Sequence, residues 1–314
     1  MSEKNDMRIV FMGTSGFSAG ILDSLIQDNY AITAVYTQPD KKVGRKQILE
    51  KTPVKVLAEK NNILVFDPHK LDDAEITILR SQNPDLIILV AYGKILPKAV
   101  LEIPRLGAVN IHPSLLPKYR GPSPIQNALL QGEKKTGTTI MLMDAGIDTG
   151  DILAQKEIEI APEEIYSELE KKLLALSSQL LIETLPLWIN KKIIPQKQNN
   201  SEASYCQLIQ KSDGKIDWNI DADKIYNKYR AFFTWPGVFT LWQEKRLKLN
   251  KIKLSSEKFE SHKIGEIFQI NDIIYVQAKS GAITLEEIQL EGKPNSKIKD
   301  FLNGHPEFIG DTLN

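Results

Sequence analysis

Residues 86–92 read LIILVAY. A run this apolar has no wet side, so as a strand it must be covered on both faces, as at the centre of a parallel sheet flanked by helices. It is also far shorter than the roughly 20 residues of a membrane span. The segments before it supply neighbours for such a strand. MRIVFM (7–12), ITAVYT (32–37) and LVF (64–66) are β-favouring runs. Between them, 17–27 places Phe17, Ile21, Leu22 and Leu25 at helical spacing, Thr52-Pro53 reads as an N-cap with proline at the first helical position, and a helix is expected over 72–81. The alternation continues past the central run, with strands expected at 108–111 and 138–143 and a helix at 123–130. This rhythm predicts an open, mostly parallel, Rossmann-like α/β sheet with helices on both faces.

Over 163–190 a long helical stripe follows, carrying Ile165, Leu169, Leu173, Leu176 and Leu180, with Pro186 at its last turn or a kink. Then the character changes. NKKIIPQKQNNSEASY (190–205) is polar and aperiodic and reads as a linker. The expected organisation is a catalytic domain over 1–189, a linker over 190–205 and a second domain over 206–314. In the second domain a helix is expected at 222–232. Short β-favouring runs then follow at 238–242, 246–254, 265–270, 273–278 and 282–290, the pattern of a small β-barrel or sandwich. In KRLKLNKIKL the apolar parity slips by one at Asn250-Lys251. A bulge there favours a barrel, because it keeps both halves of the strand facing inward.

Apolar residues make up 42% and charged residues 25%, with zero net charge, so any polyanion must be held by a local patch. The single cysteine, Cys206, has no internal partner, and the first residues, MSEKNDM, lack a signal peptide's apolar stretch. The cytoplasm is the expected compartment.

Residues 108–124 read AVNIHPSLLPKYRGPSP. Asn110 and His112, two apart on a strand, share a face at the strand end, where open α/β sheets bind ligands. An amide beside an imidazole can donate to a developing oxyanion and move a proton. The ordinary alternative is that Asn110 caps the strand and His112 packs on Pro113. DAGIDTGD (144–151) departs from calcium-loop spacing. It is either a plain Asp/Gly turn or the source of an acid that orients His112. GTSGFSAG (13–20) lacks the G-x-G-x-x-G spacing and reads as a packing turn, leaving Asp40 a weak ribose-binding candidate. The segment 40–51 holds Lys41, Lys42, Arg45, Lys46 and Lys51, and 245–263 holds seven basic against two acidic residues. With Lys191, Lys192 and Lys197 these are either solvated faces or patches for a nucleic acid.

NIHPSLLPKYRG followed by LMDAGIDTGD resembles the paired signature of 10-formyltetrahydrofolate-dependent formyltransferases. FMGTSGFSAGIL, VYTQPDKKVGRK, TPVKVLAEK, VAYGKILPKAVLEIPRLGAVN and RAFFTWPGVF extend the likeness from residue 7 into the C-terminal part, toward members that formylate methionyl-tRNA. The resemblance implies transfer of a formyl group from 10-formyltetrahydrofolate, released as tetrahydrofolate, to the α-amino group of methionine on initiator tRNA. It implies catalytic roles for Asn110, His112 and Asp148, folate binding by Ser114, Leu115, Leu116 and Pro117, and no metal. It also implies an OB-like barrel that holds the acceptor arm, with tRNA contact by Arg45. Lys46, Lys191 and Lys192 are further expected tRNA contacts, and a cytoplasmic monomer is expected. Lys46 after Arg45 and Phe233-Thr234 before Trp235 depart from relatives and bear on tRNA contact. Two other readings stay open: a formyltransferase for a small amine, such as a glycinamide ribonucleotide or amino-sugar nucleotide, and a binding protein that kept the fold without the chemistry.

Overall fold

The central apolar run becomes β6 (Leu86–Val90), the middle of seven strands, with all five residues buried. The computed structural model describes residues 7–44, 47–257, 259 and 261–314. They divide into two units, the first ending with residues 170–207 and the second holding 125–134, 160–169 and 208–314. In the first unit the chain runs through β1 (Ile9–Gly13), α1 (Gly16–Gln27), β2 (Ile32–Tyr36), β3 (Lys41–Val43), β4 (Ile48–Glu50), α2 (Pro53–Lys60), β5 (Leu64–Phe66) and α3 (Asp73–Ser81). After β6 come α4 (Lys98–Leu101), β7 (Ala108–His112), α5 (Pro124–Leu130), which beyond Pro124 belongs to the second unit, then β8 (Lys135–Leu142), β9 (Ile152–Glu159) and α6 (Tyr166–Ile189), whose residues 166–169 belong to the second unit. The sheet order is β5-β2-β1-β6-β7-β8-β9. The first five of these are parallel, and β8 and β9 run antiparallel.

Alternation sorts the parallel strands' side chains. Val10, Met12, Ala34, Tyr36, Ile87 and Leu89 pack with Ile76 and Leu79 of α3 and Val100 of α4 on one face. α1 is capped by Ser15, whose hydroxyl accepts from the Ser18 amide at 3.2 Å, while the Ser18 hydroxyl donates to Val90 O at 2.7 Å. The glycine-rich turn is thus a packing turn. Asp40 pairs with Lys55 at 3.0 Å. By length and composition α6 would pass for a membrane span. Its stripe, however, is core, with Leu173, Leu176, Leu180, Leu181 and Leu185 all buried.

The basic segment 40–51 forms the β3–β4 hairpin, and Arg45 and Lys46 lie outside the described residues. The run 190–205, expected as a linker, is bonded into the first unit: Gln196 pairs with Ile152, Ser204 with Pro117 and Arg120, and Cys206 with Arg120. Its side chains are polar because they bond to polar groups, so polarity there signalled a hydrogen-bonded strap.

The second unit adds α7 (Ala222–Phe232), β10 (Phe239–Trp242), β11 (Lys245–Leu254), β12 (Ile267–Ile270), β13 (Ile273–Gln277), β14 (Ala282–Leu290), β15 (Ser296–Lys297) and α8 (Ile298–Gly304). Its antiparallel sheet, ordered β10-β11-β14-β13-β12, wraps as a half-barrel. The register of β11 against β14 shifts on either side of Lys251, the bulge that the parity slip predicts. Lys251 and Lys253 both pair with Glu286, at 2.9 and 2.6 Å, which offsets part of the basic stretch.

Candidate active site

All five residues of β7 are buried, and Asn110 and His112 point to one face of it. β8 lies antiparallel beside them, with Asn110 opposite Met141 and His112 opposite Thr139. The chain then turns back in a loop, 143–151, to start β9. A Cβ on Gly150 would stand 1.7 Å from Leu142 O, so only glycine lets this loop fold so tightly. The fold-back carries Asp148 to the Asn110–His112 face. Its Oδ1 accepts from Asn110 Nδ2 at 3.3 Å, and its Oδ2 accepts from the Gly121 amide at 2.8 Å and lies 3.6 Å from His112 Nδ1. The three predicted catalytic residues therefore converge on one carboxylate, drawn from a strand and a loop 38 positions apart.

The imidazole has a defined tautomer. His112 Nε2 lies 2.9 Å from the Tyr119 carbonyl oxygen. A carbonyl only accepts, so Nε2 carries the proton. Nδ1 faces the carboxylate beyond hydrogen-bond range, and in the neutral ring it holds the lone pair. Of the three acids in the loop only Asp148 enters this cluster. Asp144 accepts from the Gly146 amide and the Thr149 hydroxyl, at 3.0 and 2.6 Å, and Asp151 pairs through its main chain with Leu142. Among the described residues no three His, Cys, Asp or Glu side chains gather as metal ligands.

Ser114 and Leu116 are buried, while Leu115 and Pro117 keep partial exposure. The Ser114 hydroxyl donates to Lys118 O at 2.7 Å, and the Thr139 hydroxyl donates to Ser114 O and accepts from the Leu116 amide. Gln155 donates to Leu116 O at 2.9 Å. The stretch is stiffened from beneath by β8 and β9. Lys191 and Lys192 are exposed in the turn after α6, apart from the cluster.

Several residues of the site escaped the sequence reading. Arg120 is 2% exposed. Its guanidinium donates to Gln198 Oε1 from Nε (3.0 Å) and Nη2 (2.7 Å), to Asn200 Oδ1 (2.8 Å) and to the Tyr205 hydroxyl (3.3 Å). Gln198 Nε2 donates in turn to Asp148 O (2.9 Å) and Gly150 O (2.8 Å). Cys206 lies against the same loop, its thiol donating to Arg120 O at 3.3 Å, and burial pushes that thiol's pKa up. Arg120 stands 78 positions before the glutamine it binds, so the pairing becomes visible only once the strap is folded.

The sequence model of the formyl transferase family matches residues 7–185, and that of the formyl transferase C-terminal domain matches 208–306. The methionyl-tRNA formyltransferase of Caldicellulosiruptor saccharolyticus is 47% identical over 98% of this chain and 100% of its own. The chain belongs to the methionyl-tRNA formyltransferase family. A further member, from Alkaliphilus metalliredigens, is 41% identical over 95% of this chain and 96% of its own. Among solved structures, the Helicobacter canadensis N-formyltransferase in complex with folinic acid and dTDP-3-aminofucose shares the fold, with a TM-score of 0.67, 21% identity, and coverage of 89% of this chain and 98% of its own. HypX from Aquifex aeolicus in complex with tetrahydrofolic acid gives a TM-score of 0.65 at 17% identity, covering 97% of this chain and 48% of its own.

Proposed function

We propose that the chain transfers the formyl group of 10-formyltetrahydrofolate to the α-amino group of methionine esterified to initiator tRNA. The observation that carries this reading is the likeness to methionyl-tRNA formyltransferases through both units, at 47% identity, against 21% for the amino-sugar enzyme of the same fold.

The amine must lose a proton as it adds to the formyl carbon, and the oxygen there gains negative charge. His112 takes the proton at Nδ1, the nitrogen left free by the Tyr119 carbonyl. Asp148, 3.6 Å away, stabilises the positive ring that results. Asn110 has two amide N–H groups and uses one on Asp148. The other donates to the developing oxyanion, a contact of a kind whose loss costs about 100- to 1,000-fold in rate. When bound, 10-formyltetrahydrofolate supplies the formyl carbon; as the oxyanion collapses the bond from that carbon to N10 breaks, and His112 returns its proton to N10, so that tetrahydrofolate leaves. The residues present fit such a donor: besides the spare amide N–H, two large apolar side chains stand exposed, Ile147 beside Asp148 and Ile95 in the turn leaving β6. The stretch 114–117 forms a stiff wall, with Leu115 and Pro117 as its contact surface and Ser114 and Leu116 as its support. Arg45, Lys46, Lys191 and Lys192 neutralise acceptor-arm phosphates. The first unit, with the strap up to residue 207, carries the chemistry, and 208–314 carries tRNA binding. The enzyme works in the cytoplasm as a monomer.

The test is incubation with 10-formyltetrahydrofolate and each of three acceptors: charged initiator tRNA, charged elongator tRNA and an amino-sugar nucleotide. Formylmethionyl product is expected on initiator tRNA alone. A formylated sugar with untouched tRNA would overturn the proposal.

A further inference from the structure

We infer that Gln198, linked to Arg120, is a positioning residue that sets Asp148 for the reaction; this rests on the reading of Asp148 given above. Asp148 has φ +52°, in the left-handed region that side-chain-bearing residues avoid. Asp enters that region more readily than most such residues, but its surroundings can fix it there. Here they do so at both ends of the residue. The main-chain carbonyl of Asp148 accepts from Gln198 Nε2 at 2.9 Å, and the same nitrogen holds the Gly150 carbonyl at 2.8 Å. The carboxylate is gripped by the Gly121 amide at 2.8 Å. Gly121 follows Arg120, whose guanidinium closes on Gln198 Oε1 with two N–H groups. One glutamine thus couples the loop that carries the acid to the loop that receives it.

The chemistry requires an amide at this position. The guanidinium has no acceptor, so the amide oxygen must face it, and two carbonyls have no donor, so the NH₂ must face them. A carboxylate of the same size would keep Arg120 but turn an oxygen without a proton onto two carbonyl oxygens. Asp148 would then shift relative to His112 and Asn110, while the loops that bind substrates would stay in place.

Gln198→Glu is therefore expected to lower kcat by about 10- to 100-fold, the scale of a misplacement near 1 Å. The KM values for 10-formyltetrahydrofolate and methionyl-tRNA should stay within about threefold, because only the reacting geometry changes. In an Asp148→Asn background the same substitution should cost little more, since its effect runs through the acid already removed. Three results would each overturn the inference: a kcat within about twofold of the parent, the same fold-loss in both backgrounds, or KM values rising in step with the loss of kcat. If Gln198→Glu does not fold, Arg120→Lys, which keeps the charge and removes the fork, is read in the same cycle. Asp148→Asn retaining full activity on its own would instead defeat the catalytic reading of Asp148, so the two failures are told apart.

Discussion

Gly121→Ala strikes the site where its backbone is most crowded. Gly121 has φ +114°, and a Cβ there would lie 2.3 Å from the Cys206 carbonyl oxygen. Holding an alanine in that region costs about 1–3 kcal/mol. To restore normal contact the 119–123 loop and the strap must part by about 1 Å. That parting stretches the ladder between them, in which the Arg120 amide donates to Ser204 O at 2.9 Å and the Cys206 amide to Arg120 O at 2.8 Å. It also pulls the Gly121 amide off Asp148, a hydrogen bond to a charged group worth about 1.5–3 kcal/mol. The expected total is about 3–5 kcal/mol lost from the first unit, with kcat reduced about 100-fold. Urea unfolding beside a control variant measures the first quantity. The control is Gly107→Ala, where φ is +78° but the nearest atom is a flexible Leu142 methyl at 3.4 Å. Only the backbone term, about 1 kcal/mol, should appear there. If Gly121→Ala costs no more than Gly107→Ala, the argument that this junction is closed to any side chain is wrong.

Asn110→Ala should cut kcat about 100- to 1,000-fold with little change in either KM, and His112→Ala should slow turnover far more than it weakens tRNA binding in a filter assay. Equal losses of turnover and affinity would remove both from the chemistry. The buried Cys206 thiol has its pKa raised in the folded chain. Unfolding therefore releases its proton more readily once pH passes the free-thiol value of about 8.5. The stability this group contributes is complete below that pH and is lost as pH climbs toward the folded value. Relative to Cys206→Ala, the parent should lose stability between about pH 8 and 10; a difference that stays flat across that range would contradict the burial argument.

The parallel half of the fold could be read directly, because its signals are local. LIILVAY has one structural use, and Thr52-Pro53 announces its helix through a cap that the structure contains. β9 was missed because it is an edge strand: in ILAQKEIE only Leu153 is buried, and the polar Gln155, Glu157 and Glu159 fill the exposed alternate positions. The β3–β4 hairpin and α4, at three and four residues per element, are too short for any period to register. The meeting of Asn110 with His112 follows from strand alternation alone. The choice of Asp148 over Asp144 does not, because both sit in the same Asp/Gly-rich turn and only the fold-back at Gly150 selects between them. Gln198 carried no periodic or motif signal, and Arg120, although inside NIHPSLLPKYRG, was given no role by it. Their partners are single atoms 48 to 85 positions away, a relation that composition cannot express.

The strap has a consequence for the order in which this protein matures on the ribosome. Asn110, His112 and Asp148 emerge early, yet the segment that braces them arrives only with residues 196–206. A fragment cut where the N-terminal family match ends, at residue 185, would contain every reacting group and none of their brace. Reactivity would therefore switch on late in synthesis, after the whole first unit has cleared the exit tunnel, and a minimal working fragment must run past Cys206.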